Sequence, residues 1–252
     1  MRSRIFALVY LFIALFTIDM AAAPVATEKQ IYEWRIYTLN GDGKILDRFF
    51  EETLIPAYNR QNISTGAFTL YKKEDKEKRF LLFVYPNLET YQKVRNAVRN
   101  DETFRKEALS FFNETAPNPA YSEYTTFLCE AFDKIPVMRM PDNERTLFEF
   151  RLYHSPNEDA NQRKIKMFNT GEIDIFDKVG INSVCYGEIM AGSSMPALIY
   201  LTWYKDEDTR NEAWKKFGAH PDWDAMKKKT EYSNTATNNQ SILLSPLPYS
   251  QF

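Results

Sequence analysis

The segment Ile31-Tyr-Glu-Trp-Arg-Ile-Tyr37 returns later in the chain as Leu147-Phe-Glu-Phe-Arg-Leu-Tyr153. Glu33, Arg35 and Tyr37 reappear as Glu149, Arg151 and Tyr153, with apolar or aromatic residues between them in both copies. Such a repeat restricts the chain to folds that accept one unit twice. In the first copy, residues 31–38 alternate in strand fashion and end at Asn40-Gly-Asp-Gly43. Residues 44–60 carry apolar positions at helical spacing, and 66–71 and 80–85 read as strands around a charged hairpin tip. A helix over 88–112, broken near Asn100-Asp101, and a strand over 121–131 complete it. The second copy repeats the order, with strand 146–153, helix 160–178, strands 182–190 and 197–204, helices 207–217 and 222–229, and a strand near 240–245. Each unit reads β-α-β-β-α-β, the ferredoxin-like arrangement. The predicted fold class is α+β, with two tandem ferredoxin-like units over 24–133 and 146–252 forming a pseudo-dimer within one chain. A linker over 134–145, holding Pro136 and Pro141, joins them. A sheet covered by helices on one face must bury the other, so the two open faces are expected to stack on each other.

Ahead of the repeat, Arg2 and Arg4 precede an apolar run over 5–18, and Ala21, Ala22 and Ala23 precede Pro24. That order predicts a signal peptide over 1–23 and an exported protein, periplasmic or secreted, with no stable membrane insertion after cleavage. The alternative is an uncleaved anchor, for which the run falls short of the ~20 residues a bilayer span needs. No cysteine lies near the exit, which argues against attachment through a lipidated N-terminal cysteine. The balance of 32 Lys+Arg against 34 Asp+Glu leaves no basic surplus for nucleic acid, and no nucleic-acid partner is expected. Two His and two Cys exclude a Cys-rich zinc module and a disulfide-stapled miniprotein. Cys129 and Cys185 read either as a disulfide pair or as two buried thiols. The 19 Phe, 15 Tyr and 4 Trp point to a bulky core or an aromatic-lined cavity.

The motif Tyr32-Glu-Trp-Arg35-x-Tyr37 and its copy Phe148-Glu-Phe-Arg151-x-Tyr153 resemble the NIPSNAP family, a branch of the dimeric α/β-barrel group. The similarity continues through Arg210-x-x-Ala-Trp214-x-x-Phe217, His220-Pro-x-Trp223 and the tail Leu243-Leu-x-Pro-Leu-Pro-Tyr249-Ser. The first copy departs from this pattern, with Arg95 and Val98 where Trp214 and Phe217 would fall. The resemblance implies the same fold as the repeat does. It brings no assigned reaction, and its wider group spans cofactor-free monooxygenases, isomerases, decarboxylases and haem enzymes.

Period-2 alternation puts Glu33, Arg35 and Tyr37 on one strand face and Tyr32, Trp34 and Ile36 on the other. The apolar set is expected beneath the helices. The polar set would then face the space between the copies, with Glu149, Arg151 and Tyr153 opposite. Two readings follow. The Glu–Arg pairs are internal ion pairs that satisfy buried charge, or they line a pocket in which a guanidinium receives a ligand carboxylate and a tyrosine hydroxyl assists. His154 follows Tyr153 where Thr38 follows Tyr37, and alternation sends it to the helix side or the strand end. Tyr37, Tyr153 and His154 are the candidates for moving a proton. His220, ahead of Pro221, reads as a helix cap. No phosphate loop, Gly-x-Ser-x-Gly, His-Glu-x-x-His or Cys-x-x-Cys occurs, and neither a metal nor a cofactor is expected.

Three functions fit these features. The first is binding of a small, moderately apolar organic acid in a pocket between the copies, or between subunits of a homo-oligomer. The second is a cofactor-free enzyme acting in that pocket. The third is an interaction module with a filled barrel, whose surface carries the activity.

Overall fold

The computed structural model describes residues 28–252, so the expected signal segment over 1–23 lies outside the described residues. The strands are β1 (Ile31–Leu39), β2 (Ser64–Leu70), β3 (Lys78–Tyr85), β4 (Tyr121–Ala131), β5 (Leu147–His154), β6 (Asn182–Ala191), β7 (Ala197–Tyr204) and β8 (Asn238–Pro246). In the first half, α1 (Lys44–Phe49) passes through a π-helical turn, Phe50–Leu54, into α2 (Ile55–Asn59), and α3 (Leu88–Asn100) is followed by α4 (Glu102–Thr115). The second half matches it with α5 (Glu158–Met167), a π-helical turn Phe168–Glu172, α6 (Ile173–Val179), α7 (Glu207–Gly218) and α8 (Pro221–Lys227). Both halves thus run β-α-β-β-α-β, and among the described residues no helix is long and apolar enough to cross a membrane.

Local chemistry sets the boundaries. The Asn87 side chain accepts from the Thr90 backbone N–H at 2.8 Å and starts α3. Asp101 breaks the helix pair by leaving helical geometry (ψ 110°) and accepting from the Phe104 N–H at 3.0 Å, which caps α4. Arg60 holds that carboxylate from α2's end at 2.6 Å. At the turn into α1, Gly43 adopts φ 81°, and a Cβ there would meet the Arg79 guanidinium at 2.5 Å. The positive φ favours glycine at this turn.

All eight strands form one closed antiparallel barrel in the order β1-β3-β2-β8-β5-β7-β6-β4. Each half supplies four adjacent strands, β4-β1-β3-β2 and β8-β5-β7-β6. The halves join edge to edge: β2 pairs with β8 through Phe68↔Pro246 and Leu70↔Leu244, and β4 pairs with β6 through Cys129↔Ile189 and Ala131↔Gly187. Closure leaves no unpaired sheet edge. The tail extends this union, since Leu247 N–H donates to Ala67 O at 2.9 Å and the Tyr249 hydroxyl donates to Asp47 at 2.7 Å.

The barrel interior is filled by bulky side chains from both halves, among them Tyr32, Trp34, Phe68, Phe80, Phe148 and Phe150. Trp34 meets Phe150 edge-on at 4.9 Å, and Phe68 meets Phe148 likewise at 4.9 Å. An eight-stranded barrel is just wide enough for such filling. Two further apolar clusters lie outside the barrel, one under the helices of each half. Replacing the fully buried Trp34 with Ala is expected to cost ~3–5 kcal/mol of unfolding free energy, read as a lowered denaturant midpoint. A loss below ~1 kcal/mol would show that the interior is not the core joining the halves.

Candidate functional site

The strand alternation holds, but the faces are reversed. Tyr32, Trp34 and Ile36 point into the barrel, and Glu33, Arg35 and Tyr37 lie beneath the first-half helices. Glu149, Arg151 and Tyr153 lie beneath the second-half helices. The two polar sets therefore sit on separate outer surfaces and never share a space between the halves. The physical reason is volume and partners. The interior accommodates close-packed apolar bulk from both sheets, whereas the helix side offers the hydroxyls and guanidinium donors that buried charges require.

In the second half the set is closed. Glu149 is fully buried and accepts from Arg151 Nη1 at 2.7 Å, Arg210 Nη2 at 2.6 Å and Nε at 3.0 Å, and Trp214 Nε1 at 2.8 Å. Ser241 and Tyr204 hydroxyls add further bonds. Burial alone would raise the Glu149 pKa, but the Arg210, Arg151 and Ser241 contacts outweigh it and hold the carboxyl below its ordinary value. Trp214 covers the Arg151 guanidinium with its ring, 4.4 Å from the centroid, while Arg151 Nε is buried without a partner among the described residues. A buried Lys164–Glu172 pair at 2.8 Å lies beside Phe168 in the same half.

The first half carries the same kernel but leaves it open. Arg35 Nε donates to Glu33 at 2.7 Å, Arg35 Nη2 donates to the Tyr58 hydroxyl at 2.7 Å, and the Tyr85 hydroxyl donates to Glu33 at 2.7 Å. The guanidinium rests on the Phe83 ring, 4.5 Å from its centroid. Burial works against the charge on Arg35, but Tyr58 and Glu33 overcome it and raise the pKa well above normal. Beside this kernel lies a cavity of about 380 Å³, walled by Arg35, Tyr58, Tyr91, Arg95, Arg99 and Tyr124. Tyr91 and Arg95 on α3 occupy the places that Arg210 and Trp214 hold on α7. Val98 and Phe104 likewise stand where the larger Phe217 and Trp223 close the other half. The cleft sets the Glu33 carboxylate against three guanidiniums, and Arg95 and Arg99 make no ion pair among the described residues.

Residues 148–251 match the NIPSNAP family model. Over these residues the chain is similar to the NIPSNAP family. No curated protein matches the chain. Among solved structures, a "putative monooxygenase" from Lactobacillus acidophilus NCFM superposes with a TM-score of 0.58 at 8% identity, covering 87% of this chain and 94% of that one. A "putative monooxygenase" from Fusobacterium nucleatum gives 0.56 at 10% identity, with 87% and 93% covered. An "anthrone oxidase-like protein" gives 0.52 at 12% identity, with 88% and 93% covered. At these identities the likeness concerns the fold alone: an eight-stranded α+β barrel.

In the second half, Tyr153 is buried and its hydroxyl lies 2.8 Å from that of Tyr200. Tyr37 is buried in the other half and stacks on Tyr124 at 4.9 Å. Burial pushes both phenols up, Tyr37 and Tyr153 alike, which makes them poor proton acceptors near neutrality. His154 closes β5 and lines the barrel mouth instead of the helix side. His220 caps α8, accepting from the Asp222 N–H at 3.2 Å through Nδ1. Cys129 and Cys185 are both free, buried thiols of the barrel interior.

The alternation argument selected Glu33 and Arg35 but missed Tyr58, Tyr91, Arg95, Arg99 and Tyr124. Tyr91, Arg95 and Arg99 recur every fourth residue, so they form a stripe on one face of α3. That stripe was visible in the sequence and pointed to a single surface. Replacing Glu149 with Gln leaves Arg151 and Arg210 without their carboxylate and is expected to cost ~3–5 kcal/mol at neutral pH by chemical denaturation. Because the folded pKa lies below the ordinary 4.5, Glu149's ionisation stabilises fully above that value and less as pH falls through the folded one. The gap between wild type and E149Q should therefore narrow below about pH 4.5, and a constant gap would contradict the assignment.

Proposed function

We propose that this protein binds a small, moderately apolar organic anion in the cleft between sheet and helices of its first half. The observation that carries the reading is the contrast between two equivalent places. One is sealed around Glu149 by Arg210 and Trp214, and the other is an open cavity with Arg35, Arg95 and Arg99 on its wall. Arg35 is pre-oriented by Glu33 and Tyr58, so little side-chain entropy is lost when a carboxylate docks. Its bonds to Glu33 and Tyr58 run through Nε and Nη2, so the edge that carries Nη1 takes part in neither. Tyr58, Tyr91 and Tyr124 supply aromatic faces for the apolar part.

In this reading the barrel consists of two tandem ferredoxin-like units, 24–133 and 146–252, related by duplication. The second unit keeps a sealed, stabilising form and the first has opened for binding. The N-terminal pattern over 1–23 supports export to the periplasm or beyond the cell. A second reading, a cofactor-free enzyme acting on the bound anion, draws on the barrel shared with the two proteins named as putative monooxygenases. The raised phenols of Tyr37 and Tyr153 speak against them as its bases.

Titration with benzoate and with 4-phenylbutyrate, followed by calorimetry, tests the proposal. At least one is expected to bind saturably, and the double variant Arg95→Leu/Arg99→Leu should weaken it by roughly ten-fold or more with the melting temperature unchanged. No saturable binding of either, or binding indifferent to the double variant, would refute it.

A further inference from the structure

At one end of the barrel a second cavity, of about 260 Å³, is built by both halves. Ile36, Leu152 and Ile242 form its apolar part, and the rings of Phe80, Phe127 and Phe150 lie almost wholly buried beneath it. Its rim carries Lys78 and Glu123, which flank Thr38 on the two strands paired with β1, and His154 from the second half. The rim's opposite charges balance formally, so the mouth has no strong preference for an anion or a cation. It differs in this from the arginine-rich cleft.

His154 gives the mouth its chemistry. Its Nδ1 lies 2.8 Å from the Ser194 carbonyl, and a carbonyl only accepts, so Nδ1 holds the proton in that bond. The neutral ring then has Nε2 as a hydrogen-bond acceptor, and Nε2 has no protein partner among the described residues. Ser194 itself sits at φ 58°, a conformation that a serine adopts at some cost. An acceptor at the rim of a small hollow with an apolar patch at its base matches a ligand with a flat apolar body and one O–H donor.

We infer that the barrel mouth is a second binding site, for a neutral single-ring phenol, whose hydroxyl donates to His154 Nε2 and whose ring packs on Ile36, Leu152 and Ile242. The site is separate from the first-half cleft and stands whether or not that cleft binds anions.

The chain has two histidines, His154 and His220, so ring-nitrogen NMR of histidine-labelled protein reads the site directly. Adding 4-ethylphenol is expected to shift the His154 Nε2 signal and leave His220 in place. Ethylbenzene, which lacks the hydroxyl, should bind roughly ten-fold more weakly. Saturating benzoate should not displace the phenol. In His154→Phe, the preference for the phenol over ethylbenzene should disappear. An unmoved His154 signal, equal affinity for ethylbenzene, displacement by benzoate or a retained preference in His154→Phe would each overturn the proposal. The NMR measurement on the unaltered protein decides the matter even if the variant fails to fold.

Discussion

Trp34 and Phe150 come from different halves of the chain and meet edge-on at 4.9 Å in the middle of the barrel. That contact stands for the constraint on which the rest depends: the interior is shared by both sheets and filled with large apolar side chains. Because the inside is taken, each Glu–Arg pair lies on the outer face, beneath its own helices. The helices must then supply the partners of those charges. They do so with Tyr58 in one half and with Arg210 and Trp214 in the other.

This division makes the two halves chemically unequal although their backbones run alike. Around Glu149, donors from Arg151, Arg210 and Trp214 converge on the buried carboxylate. Around Glu33, the carboxylate is held among the described residues by Arg35 and Tyr85 alone, and the helix presents Tyr91 and Arg95 across a gap. A buried charge network of the first kind is rigid and costly to break. One of the second kind keeps charge and space available at a surface, as ligand recognition requires. Edge pairing and the crossing of Tyr249 onto Asp47 tie the open half to the sealed one, which gives the cleft a stable frame.

Much of the architecture was legible in the chain. Alternation over 31–38 marked β1, the Asn100-Asp101 break appeared as the Asp101 cap, and the repeat of Glu33, Arg35 and Tyr37 marked equivalent strand positions. The face that each set occupies was not legible, because period 2 separates two faces without saying which is inside. The expectation of charges between the copies met an interior filled by apolar bulk from both sheets, and the aromatic abundance had left a bulky core and an aromatic-lined cavity both open. The expected stacking of the open faces into a barrel-like body agrees with the closed barrel, and the pairing of β2 with β8 and of β4 with β6 is what closes it. The substitutions of Arg95 and Val98 for Trp214 and Phe217 were visible as a departure. Only the packing of α3 over Arg35 reveals that this departure makes a cavity.

A crystal structure of the protein soaked with 4-bromobenzoate, read through the bromine anomalous signal, tests the central claim most directly. The account predicts a bromine peak in the first-half cleft, with the carboxylate on Arg35 or Arg95 and no peak beside Glu149. A peak beside Glu149 of equal strength, or a cleft left without bromine while the barrel mouth holds it, would contradict the claim that the two halves have diverged into one open and one sealed site.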